Sequence, residues 1–278
     1  MERKQKRELL IALLAAVFLF SAGMMVRQQF QYRQIVADSE EAARIVGLQK
    51  STEPQQPVSA LPIPSMEMEE QEPPPEPLPE EALDLAKIDL EALRAVNEDV
   101  VGWIAIPGTT LSYPLMQGED NQYYLSHSWK REAVSGGSVF LESTNNRDLT
   151  DFHTIAYAHR MCNDTMFGTL KYYKGLDFWQ EHPRIYIVLN DMIYRYDIFS
   201  AQEADVKGIV YRLDIEENEL EEEFLQYCIE NSVIDTGLTP EASDRILTLS
   251  TCTGNGHVNR WVVHGVLAQE YSRELEEE

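Results

Sequence analysis

The chain is poor in cysteine, in histidine and in positive charge. Its three cysteines, Cys162, Cys228 and Cys252, form no CxxC pair. That excludes a disulfide framework and a zinc ribbon. The six histidines are scattered and none sits in an HExxH segment. No metal site and no cofactor are therefore expected. Lys and Arg total 23 against 47 Asp and Glu, a net charge of -24. Without a basic footprint a nucleic-acid partner is excluded. The acid is concentrated in residues 67–81, 216–223 and 274–278, stretches expected to be solvated faces rather than binding surfaces. No internal repeat is present. An odd number of cysteines outside the cytosol leaves at least one thiol free.

What is present begins at the N-terminus. Residues 2–7 are rich in Lys and Arg, and residues 9–26 follow without a charge. Eighteen helical residues span roughly 27 Å, close to a hydrocarbon core of about 30 Å. The run is longer than a signal-peptide core and continues past Ser21-Ala22-Gly23, the one small-residue exit. An uncleaved anchor is expected, with residues 1–8 as a cytoplasmic tail and the rest of the chain extracellular. Residues 27–48 have helical spacing and can prolong the membrane helix. Residues 51–81 are rich in Pro and Glu and contain no Lys or Arg. Such a stretch cannot bury a core. Residues 27–82 are thus expected to be a helical extension and a spacer holding a domain of residues 83–272 away from the bilayer, with an acidic tail at 273–278.

The globular part predicts one helix over 85–97 from its apolar spacing. Short β-rich runs follow at 101–106, 111–115, 138–141, 154–157, 185–189 and 193–199, broken by Gly, Asn, Asp or Pro. Helices are expected over 167–173 and 216–230. The chain closes with strands over 245–252 and 258–268, joined by a short loop, Thr-Gly-Asn-Gly. Many short strands with few helices predict a mainly β fold, a barrel or sandwich.

The last two strands carry the chemistry. Cys252 ends one strand and Arg260 begins the next, so a tight hairpin sets them side by side. A cation favours the thiolate, which is the reactive form. An arginine keeps its proton and can therefore serve a developing oxyanion. A histidine is still needed to move protons. His127, His153, His159, His182, His257 and His264 are all candidates, and spacing does not choose among them. Taken singly, Cys252 could be a core cysteine, Arg260 a surface ion-pair partner and His159 a core histidine. Cys162 is expected to be an inert thiol or a loose partner for Cys228, and the four tryptophans to be packing residues.

The segment Thr-Leu-Ser-Thr-Cys at 248–252, with Arg260 eight positions on, resembles the sortase signature. Further blocks resemble class B of that family in the same order. They are Glu-Asp-Val-Val-Gly-Trp-Ile-Ala-Ile at 98–106, Tyr113-Pro114, Gln117, Asp120-Asn121, Tyr124-Leu125, Gly-Ser-Val-Phe-Leu at 137–141, and residues 157–172. The resemblance covers roughly residues 96–267.

It implies an eight-stranded sortase β-barrel with a leading helix and a helix, here 216–230, in the long loop before the nucleophile strand. By position Cys252 matches the nucleophile, His159 the acid/base and Arg260 the oxyanion arginine. The backbone N–H of Thr253 would be a second oxyanion donor. Where the family has Gly-His-Asn-Met, this chain has Ala158-His159-Arg160-Met161, which adds a cation. Asn121, Leu125 and Ser250 match groove positions, and Val206, Val210 and Tyr211 align loosely with a groove wall. The implied reaction cleaves a C-terminal sorting signal of NPxTN or S/P-P-x-T-G type after Thr, through a thioester. Its partners would be surface proteins bearing that signal and an amine of a peptidoglycan precursor or cross-bridge. Other readings are a pilin polymerase with a lysine acceptor, a cysteine protease releasing to water, and a tethered binding domain without catalysis.

Overall fold

The structure, a computed structural model, describes residues 3–48, 77–213, 215, 218–253 and 258–273. Most of the Pro/Glu-rich stretch, the Gly-Asn-Gly loop with His257, and the acidic tail lie outside the described residues. So do Glu216 and Glu217, at the start of the helix expected over 216–230.

Eight strands close into a barrel: β1 (Val100–Ala105), β2 (Ser112–Met116), β3 (Val139–Leu141), β4 (His153–Tyr157), β5 (Arg184–Val188), β6 (Met192–Asp205), β7 (Ile246–Cys252) and β8 (Asn259–Ser272). The order around the barrel is β1-β2-β3-β4-β7-β8-β6-β5, with β5 returning to β1. β2 pairs with β3, and β4 with β7, in parallel; the other neighbours are antiparallel. Closure leaves no open edge. Ile104, Leu115, Leu141, Ile187, Ile198, Leu247, Leu249 and Val263 belong to one buried core cluster. β1, β3 and β7 are buried along nearly their whole length, because outer elements cover the second face. That explains why they read as apolar runs rather than as a clean alternation.

The expected helix over 85–97 is two short helices, α2 (Leu83–Ala86) and α3 (Leu90–Arg94). Asp89 breaks it: its carboxylate accepts the Ala92 N–H at 3.1 Å and caps α3. Residues 168–174 form a 3-10 turn rather than an α-helix, and the sequence reading missed α4 (Leu176–Glu181). The helix before β7 is present as α5 (Asn218–Glu230). Its Phe224, Leu225 and Cys228 pack on Phe199, Ile246 and Val262, over the outer face of β6, β7 and β8.

The N-terminal helix α1 (Arg3–Ile45) is continuous. Among the described residues it is the one helix long and apolar enough to cross a membrane, with a mean hydropathy of 1.8 over its best window. Residues 11–30 are nearly all exposed, and burial begins at Gln31. Ile35, Ala42 and Val46 are 1%, 0% and 1% exposed. Steps of seven and four residues put them on one helical face, which lies on the barrel side. The Trp129 indole donates to the Asp38 carbonyl at 3.0 Å, and Lys130 pairs with Asp38 at 3.2 Å and Glu41 at 2.9 Å. The helical extension is thus docked on the barrel. A methyl group at Gly136 would lie 2.2 Å from Ile35 Cδ1, so only glycine lets the helix approach this closely.

Gly136→Ala is therefore expected to destabilise the fold by about 1–3 kcal/mol through overpacking. Ile35→Ala is expected to cost about 2–4 kcal/mol as a cavity. Denaturant unfolding of the singles and the double variant checks this. The double variant should lose less than the sum, because the two side chains compete for one space.

Candidate active site

Strand register assembles the site. In the parallel β4–β7 pair Tyr157 lies opposite Ser250, and the Ala158 N–H continues the ladder to the Ser250 carbonyl at 3.3 Å. Two residues further on, His159 comes level with Cys252. In the antiparallel β7–β8 pair Cys252 lies opposite Arg260. Side chains alternate along a strand. Leu247, Leu249 and Val263 enter the barrel core, so Thr248, Ser250 and Cys252 take the other face, together with Arg260, Val262 and His264. With strands about 4.8 Å apart, three adjacent strand ends present His159, Cys252 and Arg260 in one row.

The row is electrostatically coupled. A hydrogen bond from His159 pulls the Cys252 thiol below its ordinary value against the opposing effect of burial; the charges of Arg260, His159 and Arg160 add to it. The same hydrogen bond raises the His159 imidazole, again against burial. His159 Nε2 lies 2.8 Å from the Leu125 carbonyl oxygen. A carbonyl only accepts, so Nε2 carries a proton and Nδ1 is left as the exchangeable position. The ring is thereby oriented by a backbone carbonyl, which takes the place of the third group that positions the base in a nucleophile–base pair. Arg160 donates to the Thr253 carbonyl, one peptide beyond the Cys252–Thr253 bond. Arg260 Nη1 donates to the Asn259 carbonyl at 3.2 Å.

The other described histidines are engaged elsewhere. His127 stacks on Tyr123 at 4.0 Å, and His182 bonds the Pro107 carbonyl oxygen at 2.9 Å. His153 and His264 are buried on either side of Thr248, whose hydroxyl lies 2.7 Å from His153 Nε2 and 2.8 Å from His264 Nδ1. Burial pushes both imidazoles down, to about 4 and about 3. Both are neutral at ordinary pH and out of reach of solvent.

The groove candidates divide. Ser250 is buried next to the row and shares a 2.7 Å hydrogen bond with the Tyr211 hydroxyl. Burial raises the Tyr211 phenol to about 12. Val210 is buried beneath α5, while the Val206 N–H bonds the Val258 carbonyl at 2.9 Å, beside the loop after Thr253. Leu125 has a 40% exposed side chain next to its His159-bonded carbonyl. The Asn121 side chain donates to Glu142 at 2.6 Å and accepts from the Ser143 N–H at 2.8 Å. Glu142 and Tyr157 were missed in the sequence. Glu142 is 7% exposed and also accepts from the Tyr157 hydroxyl at 2.9 Å. The position of Tyr157, two residues before His159 on one strand face, was the available signal. Cys162 is exposed, Cys228 buried, and neither is disulfide-bonded.

In a Cys162→Ser background, the rate of Cys252 alkylation by iodoacetamide is expected to rise with pH at a midpoint below the ~8.5 of a free thiol. His159→Ala should move that midpoint upward, and Arg260→Ala should move it less, because the histidine hydrogen bond outweighs the arginine charge. Stopped alkylation followed by intact mass measures both.

A sequence model of the sortase domain matches residues 104–268. Sortase B of Listeria monocytogenes is 34% identical over 164 residues, 59% of this chain and 67% of the relative. Sortase B of Staphylococcus aureus is 35% identical over 162 residues, 58% of this chain and 66% of the relative. The chain thus spans about two thirds of the length of these relatives. A solved Staphylococcus aureus sortase B–substrate complex superposes with a TM-score of 0.61 at 33% identity, over 64% of this chain and 84% of that one. Sortase B from Bacillus anthracis in complex with AAEK1 gives 0.65 at 27% identity, over 86% and 99%. The match spans the strands that bear Cys252 and Arg260, and the barrel is the same: this chain belongs to the sortase family of cysteine transpeptidases, in its class B branch.

Proposed function

We propose that this chain is a membrane-anchored transpeptidase that cleaves a C-terminal sorting signal after Thr and joins the released protein to an amine of peptidoglycan. The observation that carries the reading is the row of His159, Cys252 and Arg260 at three neighbouring strand ends. In the first step the Cys252 thiolate attacks the Thr carbonyl carbon, and the carbonyl π pair moves to oxygen. Arg260 and the Thr253 N–H hold that oxyanion. The C–N bond then breaks, and the imidazolium of His159 gives its proton to the leaving amine, so a thioester remains on Cys252. In the second step an incoming amine attacks the thioester and passes a proton to His159. The C–S bond breaks and the thiolate returns.

The signal is of NPxTN or S/P-P-x-T-G type, and Asn121, Leu125, Ser250, Val206, Val210 and Tyr211 shape or support its groove. The acceptor is a cross-bridge or precursor amine. Residues 9–26 form a single-pass anchor with residues 1–8 inside and the barrel outside. The basic cluster before the apolar run and the exposure of residues 11–30 support that placement.

The test uses the full chain in detergent micelles with quenched peptides carrying each signal, with and without an amine acceptor. A Thr-acyl adduct on Cys252 is expected, absent in Cys252→Ala and discharged faster by amine. Loss of one oxyanion donor typically costs about 10²–10³ in kcat, so Arg260→Ala should lower kcat by that order with a small change in KM. An adduct discharged equally fast by water alone would turn the reading to a protease. A folded enzyme that forms no adduct with any peptide would turn it to a binding domain.

A further inference from the structure

The sequence predicts a spacer between membrane and enzyme, but α1 runs from the apolar segment into the fold without a break. The apolar run ends at Val26, and burial against the barrel begins at Gln31. Five helical residues rise about 7.5 Å. The polar headgroup layer is itself roughly 5–7 Å thick on each side, from a total of about 40–45 Å around a core of about 30 Å. No room for a stalk remains between them. The flanks of the Pro/Glu stretch agree. The Val46 carbonyl accepts the Asp89 N–H at 3.4 Å, and Leu48 and Leu78 pack against the same buried cluster. The residues on either side of this stretch, Leu48 and Leu78, are thus both held on the domain.

The geometry also sets which face is lowest. Met25, Gln28, Tyr32 and Arg33 line one cleft together with Cys162 and Asn163. Cys162 is three residues after His159, at most about 11 Å along the chain. The other end of the docked helix, at Val46, lies about 32 Å further along the axis than Met25, beside Asp89 and near Lys87.

We infer that α1 clamps the catalytic domain directly on the bilayer, with the loop of residues 159–163 facing the lipid headgroups and the Lys87 end pointing away. The inference rests on the anchor reading above. In this orientation the catalytic row, whose His159 is three residues before Cys162, lies close to the headgroup layer.

The test does not depend on activity. The full chain, as Cys252→Ala, is reconstituted in phosphatidylcholine/phosphatidylglycerol vesicles and labelled at the exposed Cys162. A second sample carries Cys162→Ser and is labelled at Lys87→Cys. Headgroup-nitroxide lipid should quench the first label strongly and the second little. A 20-residue Gly/Ser insertion between Arg27 and Gln28 adds a coil of about 25 Å r.m.s. span, and should reduce quenching of the Cys162 label several-fold. Replacing residues 51–76 by a short Gly/Ser linker should leave it unchanged. Equal quenching at both positions, no effect of the insertion, or loss of quenching on replacing 51–76 would each overturn the inference. A wild-type chain that fails to float with vesicles would overturn the anchor reading and this inference together. Flotation with an unquenched Cys162 label would overturn this inference alone.

Discussion

The parallel pairing of β4 with β7 is the constraint on which the site depends. It brings residues more than ninety positions apart into one register, Tyr157 against Ser250. Parallel strands need a long connection, and here the connection contains β5, β6 and α5. The hairpin-like pairing of β7 with β8 adds Arg260 at little topological cost. A slip of one residue in β4 would turn His159 to the barrel interior, since side chains alternate strictly. The barrel core, through Ala156, Leu247 and Leu249, therefore enforces the registry of His159, Cys252 and Arg260. Packing and chemistry are set by the same strands.

The local field runs against the global one. The chain carries a net charge of -24, yet Arg160, Arg260 and His159 surround Cys252, and all three favour its thiolate. A partly buried site can favour a charged form only if the remaining hydrogen bonds of the groups involved are met. The Leu125 carbonyl does this for His159. Arg160 meets the carbonyl of Thr253, so its charge is spent on backbone geometry as well as on the thiol. A neutral side chain at position 160 would supply only part of this.

The barrel and its strand runs were legible because two-sided burial leaves short apolar runs punctuated by turn residues. Cys252 and Arg260 were legible because a short loop makes neighbours of them. The histidine was not, because nothing local announces a parallel pairing across such a distance; only the family resemblance pointed to His159. Boundaries failed where a single polar residue decides, as Asp89 does between α2 and α3. The helix over residues 27–45 was legible, but its docking on the barrel was not, for a related reason. Its buried residues, Ile35, Ala42 and Val46, are few in a polar stretch, and their partner surface at Gly136 and Trp129 is remote in sequence. Glu142 escaped notice because a lone acid among so many carries no signal until its donors, Asn121 and Tyr157, are seen around it.

The signature threonine at 248 acquires a physical reason from the outer face of β7. Its hydroxyl can donate to one buried imidazole and accept from another, which lets His153 and His264 stay neutral and satisfied beneath α5. His153 in turn holds the Arg212 carbonyl at 3.0 Å, and His264 meets Gln202 at 3.2 Å. This chain of bonds ties β4, β6, β7 and β8 to the segment that carries Tyr211. Tyr211 reaches back to Ser250, two residues before Cys252. A valine at 248 would leave two imidazole nitrogens buried without partners, at a cost of about 1–3 kcal/mol each. The segment of Tyr211 and strand β7 are thus joined by a polar network that stops short of Cys252. The threonine at 248 therefore holds the elements around Cys252 together through bonds that leave the thiol itself unoccupied by them.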